Sequence, residues 1–101
     1  MKDQGHYTES GLITADTLIK QAPGYVQSIM IAYEDVVPGE ICTLRDALNE
    51  SEGANEVLFR FPDTCGIIIR DWPGEGKKFD TGIYFNKGTT EGTLHAEITY
   101  K

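Results

Sequence analysis

Apolar and polar residues alternate most regularly near the end of the chain. Phe79, Thr81, Ile83 and Phe85 share one parity, residues 86–92 form a turn rich in Gly and Thr, and Leu94, Ala96, Ile98 and Tyr100 resume the alternation. A period of two puts each apolar set on one face of a pleated strand, so residues 79–101 are expected to form a hairpin. A lone hairpin is marginal in water, and the rest of the chain must supply a sheet for it to lie against. The register predicts Leu94, Ala96, Ile98 and Tyr100 buried, with Thr93, Glu97 and Thr99 mainly exposed. A slip of one residue would invert every one of these assignments.

Earlier segments repeat the pattern. Residues 12–20 are rich in branched side chains, with Ile13, Ala15, Thr17 and Ile19 on one face of a first strand; a short helix capped near Thr14 would also turn Leu18 and Ile19 inward. In residues 25–33, Tyr25, Gln27, Ile29, Ile31 and Tyr33 alternate with Val26, Ser28, Met30 and Ala32. Both faces are apolar in the middle, which places this strand at the centre of a sheet. Residues 41–47 put Cys42 and Leu44 opposite Arg45, and residues 56–61 put Val57, Phe59 and Phe61 opposite Leu58 and Arg60. The Ile67-Ile68-Ile69 triplet is apolar on both faces and is expected to be central as well.

Punctuation between the runs comes from Pro23-Gly24, Pro38-Gly39 and Pro73-Gly74, where Pro presets the first turn position and Gly accepts the positive φ of the next. Residues 49–55 are small and polar, as in an exposed loop. About seven short strands at this spacing predict an all-β fold, a single antiparallel β-sandwich or jelly-roll-like domain. That domain is expected over residues 12–101, with residues 1–11 a flexible arm ordered only where something holds it.

Composition narrows the partners more than the fold. A 101-residue chain with 40% apolar and 25% charged residues is sized for one soluble domain, and no run approaches the ~20 apolar residues of a membrane span. The polar start of the chain reads as neither a signal peptide nor an anchor. A net charge of -7 would be repelled by phosphates, so nucleic acid is a poor partner.

Candidate chemistry is sparse. Cys42 and Cys65 lack a CxxC spacing, lie in apolar runs and are expected to be buried free thiols. His6 and His95 form no metal-binding spacing, and no cofactor is implied; His95 is expected at solvent or a subunit contact. The segment at residues 73–78 lacks the P-loop spacing. Asp71, Glu75 and Asp80 flank it without an EF-hand pattern, and Asp71, Asp80, Glu91 and Glu97 offer carboxylate pairs of undefined separation. The chain is therefore expected not to be an enzyme. Among aromatics, Trp72, in a loop beside Pro73 and Gly74, is the candidate for surface recognition, for instance stacking on a sugar. The surplus of apolar strand faces predicts a homo-oligomer, with Tyr33 and Tyr84 as candidate interface residues.

In order along the chain, Ile13-Thr14-Ala15-Asp16, Ala22-Pro23-Gly24-Tyr25-Val26, Phe59-Arg60-Phe61, Gly82-Ile83-Tyr84-Phe85 and Ala96-Glu97-Ile98-Thr99-Tyr100 resemble the turn and strand signatures of small β-sandwich virion proteins of tailed bacteriophages, marine ones especially. The resemblance implies a head decoration, head fibre or neck component, built as a symmetric oligomer among other virion proteins and assembled in the host cytoplasm. A small carbohydrate- or ligand-binding β-sandwich module using Trp72 is the alternative.

Overall fold

The computed structural model describes residues 7–49, 54–88 and 91–101. Its strands are β1 (Thr8–Glu9), β2 (Thr17–Lys20), β3 (Gly24–Glu34), β4 (Ile41–Asp46), β5 (Ala54–Arg60), β6 (Gly66–Asp71), β7 (Lys77–Phe79), β8 (Ile83–Asn86) and β9 (Thr93–Tyr100), with no helix among the described residues. Two antiparallel sheets result. One has the order β1-β9-β3-β6, with β7 also pairing with β3, and the other the order β2-β8-β4-β5. Their inner faces meet in one core of a β-sandwich, in which Val26, Ile29, Ile31, Leu94, Ala96 and Ile98 from the first sheet oppose Leu44, Phe59, Ile83 and Phe85 from the second. Fully burying one such large side chain contributes about 1.5–3 kcal/mol.

β3 is central, as its two apolar faces predict: β9 runs along one side of it, and β6 and β7 share the other end to end. Its parity is interrupted. A register shift between Val26 and Ser28 lets Gln27 bulge, so Val26 turns to the core with Ile29, Ile31 and Tyr33, while Tyr25 and Gln27 are only half-buried. One extra residue reverses the side of everything before it, which simple alternation does not reveal.

The alternation in β9 fares better: Leu94, Ala96 and Ile98 are buried, Thr93 and His95 exposed, and Tyr100, Glu97 and Thr99 half-buried. The expected hairpin over residues 79–101 does not form. β8 pairs with β2 and β4 in one sheet, whereas β9 pairs with β1 and β3 in the other. The two alternating runs face each other across the core, because opposite sheets bury complementary apolar faces as readily as neighbouring strands do. Of the connecting turn, residues 89 and 90 lie outside the described residues, as do residues 50–53 of the loop expected at 49–55.

The first strand is also divided. Ile13 bridges to Ala96 in the first sheet, and Thr17–Lys20 then crosses to the second and pairs with β8. Before it, Thr8 lies opposite Tyr100 and Glu9 opposite Thr99. Ser10 fastens this segment: its amide donates to the Ile98 carbonyl at 2.9 Å and its Oγ accepts from the Ile98 amide at 2.9 Å.

Two of the three Pro-Gly pairs turn as predicted, with φ of 96° at Gly39 and 64° at Gly74. Gly24 does not take a positive φ; it opens β3, where a side chain would collide with the Lys101 carbonyl. Between β6 and β7 the chain leaves the ladder and returns. The Trp72 amide still donates to the Gln27 carbonyl at 2.9 Å, residues 73–75 are extruded, and Gly76 re-enters with φ 106° against the Val26 carbonyl, where no Cβ fits.

Candidate functional site

β6 differs most from its prediction. It is an edge strand, not a central one: β3 pairs with it from one side, and among the described residues no strand pairs with the other. Because β6 side chains alternate, Ile68 turns inward to pack against the core, and Ile67 and Ile69 stand on the outer face at 64% and 65% exposure. Leu12 apart, they are the most exposed of the large apolar side chains that stand out among the described residues.

The strand register extends this apolar strip inward. Ile67 is level with Ala32 on β3 and His95 on β9, Ile69 with Met30 and Glu97, and Asp71 with Ser28 and Thr99. The outer face therefore grades from apolar at the open edge to polar over β9. At the end nearest Gly66 it sinks into a depression of about 340 Å³ lined by Ala32, Glu34, Cys65, Ile67, Thr93 and His95.

That depression brings Cys65 and His95 together, but no hydrogen bond joins them among the described residues. Cys65 is exposed, which corrects the expectation of two buried thiols, because it precedes an edge strand and not a central one. Cys42 is buried as expected, and loss of solvation pushes its thiol up to about 12, so it stays protonated and inert.

The other predicted residues lie apart. Tyr33, expected at a subunit interface, is 5% exposed, with its ring centroid 4.7 Å from that of Phe61 in the core of its own chain. Tyr84 is half-buried on β8, level with Leu18 and Arg45 on the outer face of the second sheet. Trp72 is half-buried and packs against the core, and the Arg70 guanidinium sits 6.0 Å from its ring centroid. Arg70 also lies over Phe59 at 5.4 Å and so spans from the edge of the first sheet to β5 of the second.

Among the proposed carboxylate sets, Glu75 pairs with Lys101 at 3.3 Å and Asp80 with Lys78 at 3.8 Å. No group of three or more His, Cys, Asp or Glu side chains that could hold a metal ion occurs among the described residues. His6 lies outside the described residues.

Asp46 was not singled out by sequence, yet it has the best-defined electrostatic role. At the end of β4 its carboxylate accepts the amides of Asp80 at 2.9 Å, Thr81 at 2.7 Å and Gly82 at 3.3 Å, tying the β7–β8 turn to the second sheet. Desolvation alone would raise its pKa, but the three N–H donors and nearby Lys77 outweigh it and hold the carboxyl below its ordinary value. This carboxylate is occupied in holding backbone, so it is a structural anchor.

Fold and surface together define a small all-β sandwich whose most distinctive feature is an apolar sheet edge left unpaired among the described residues. Comparison with protein-family models, curated proteins and solved structures finds no match.

Proposed function

We propose that this protein is a non-enzymatic structural component that acts as a homo-oligomer, and that its setting is the virion of a tailed bacteriophage, as a decoration, fibre or neck part. The observation behind the oligomer is the β6 edge, where Ile67 and Ile69 are 64% and 65% exposed beside half-buried Met30 and Ala32. Open apolar edges invite strand pairing, and proteins that remain monomeric usually blunt them. The virion setting rests on the turn and strand signatures described above. Sedimentation of the purified chain at ~0.1 mM, above the dissociation constants of stable assemblies, tests the first part: a closed oligomer supports the reading and a strict monomer overturns it. Mass spectrometry of purified particles tests the second, since a virion part must co-purify in fixed stoichiometry with the other particle proteins. The alternative of a carbohydrate-binding module is less favoured, because Trp72 is half-buried with the Arg70 guanidinium 6.0 Å from its ring centroid.

A further inference from the structure

The edge that suggests association also specifies how it would occur, on the reading of the chain as a homo-oligomer. Trp72 donates its amide to Gln27, and the β3–β6 ladder runs without a register shift from Asp71 to Gly66. In an antiparallel ladder, alternate residues turn both amide and carbonyl to the same neighbour. Ile68 and Arg70, in phase with Trp72, therefore bond to β3, while Ile67, Ile69 and Asp71 turn their backbone groups out of the sheet. Among the described residues, the amides left open and the exposed isoleucines belong to the same residues.

From this coincidence we infer that β6 pairs antiparallel with β6 of a second copy about a two-fold axis through Ile68, joining the two first sheets into one continuous sheet. A two-fold axis perpendicular to the sheet keeps outer face next to outer face, so a residue can meet only residues of its own parity. Centring on Ile68 places Ile67 opposite Ile69 of the partner and the reverse, and two reciprocal pairs of hydrogen bonds close around the axis. Centring on Ile69 would instead set Ile67 against the partner's Asp71, and centring on Ile67 would bring Asp71 towards the partner's Asp63. In the Ile68 register, Arg70 meets Gly66 of the partner and Asp71 meets Cys65 of the partner, so no like charges are opposed. Charge favours the same place: the molecule carries -7, but β6 holds one Arg and one Asp and adds nothing to the repulsion between copies. β6 has no Pro, no Lys and no bulge over its six residues, and its one inward-phase charge, Arg70, is matched with the partner's Gly66 in this register.

The test uses the full chain in a Cys65→Ser background, with cysteine introduced singly at positions 67, 68 and 69 and oxidised by glutathione disulfide at ~0.1 mM protein. Facing residues of a non-hydrogen-bonded pair lie ~4.5 Å apart at Cα, within disulfide reach. Ile68→Cys should give a covalent dimer at least about ten times faster than Ile67→Cys or Ile69→Cys, a ratio set by that geometry. A dimer by sedimentation that cross-links fastest at another of these positions, or at none, overturns the register while leaving self-association standing; a monomer overturns both. Because Ile68 packs against the core, hydrogen exchange on the unaltered protein gives a second readout. The Ile67 and Ile69 amides should be protected at ~0.1 mM and lose protection on dilution below the dissociation constant. Rapid exchange of both amides in a sedimenting dimer rules out pairing at β6.

Discussion

Arg70 lies 5.4 Å above the ring centroid of Phe59, and this contact links β6, at the edge of the first sheet, to β5, at the edge of the second. The guanidinium comes from the first sheet and the ring from the second, so a single cation links both while it also lies 6.0 Å from the Trp72 ring centroid. A planar, weakly hydrated cation suits this position near two rings better than an ammonium does.

Arg70→Ala should therefore cost about 1–2 kcal/mol, from the lost cation–π contact and the packing of the Arg stem. Trp72 is the only tryptophan, so its fluorescence reports the change directly: emission should shift to the red, and Arg70→Lys should restore it only in part. Unchanged emission and unchanged denaturation in Arg70→Ala would remove Arg70 from this role.

Asp46 supplies a pH dependence. Its folded pKa lies below the unfolded value, so its stabilising effect is complete above the unfolded value and fades as pH falls through the folded one. Asp46→Asn should destabilise on the order of 1 kcal/mol at pH 7, the modest size reflecting a partly solvated site. Urea titrations of both proteins from neutral to acid pH should show the difference shrinking, and a constant gap would contradict the assignment.

The thiols should separate by reactivity. A disulfide reagent at neutral pH is expected to modify Cys65 alone in the native protein, because Cys42 is buried with its thiol pushed up to about 12. In denaturant both should react. Rapid native modification of Cys42 would mean that the core opens far more easily than its packing indicates.

Two tyrosine substitutions distinguish core from surface. Tyr33→Asp places a carboxylate among Phe61 and other buried groups and should unfold the chain, a loss above about 4 kcal/mol. Tyr84→Asp, half-buried on the outer face of the second sheet, should leave the chain folded. Circular dichroism decides both, and a folded Tyr33→Asp protein would sink the core assignment.

Gly76→Ala tests the extruded segment between β6 and β7. Its positive φ and the Val26 carbonyl against it leave no space for a methyl group, so a loss of about 1–3 kcal/mol is expected. A neutral substitution would show that residues 73–76 can rearrange freely.

Local chemistry determined a good deal of this protein. The alternation of Leu94, Ala96 and Ile98 fixed which face of β9 is buried, the double apolar character of residues 25–33 put β3 in the middle, and the number and spacing of short strands pointed to an all-β sandwich. Pairing was not written locally. Alternation states that a face is covered but not by which strand, so β8 and β9 read as a hairpin although they lie in opposite sheets. A bulge such as that at Gln27 depends on the neighbouring strand's register, and the positive φ of 57° at Asp35, in the bend just after β3, depends on how the chain leaves that strand. The isoleucine triplet shows the limit most sharply. A central strand and an edge strand with an apolar outer face have the same sequence signature, and only the sheet order, with β3 on one side of β6 and no described strand on the other, left Ile67 and Ile69 uncovered. The physical reason is that burial is set by neighbours distant in sequence, whereas periodicity is set by the pleat of the strand itself.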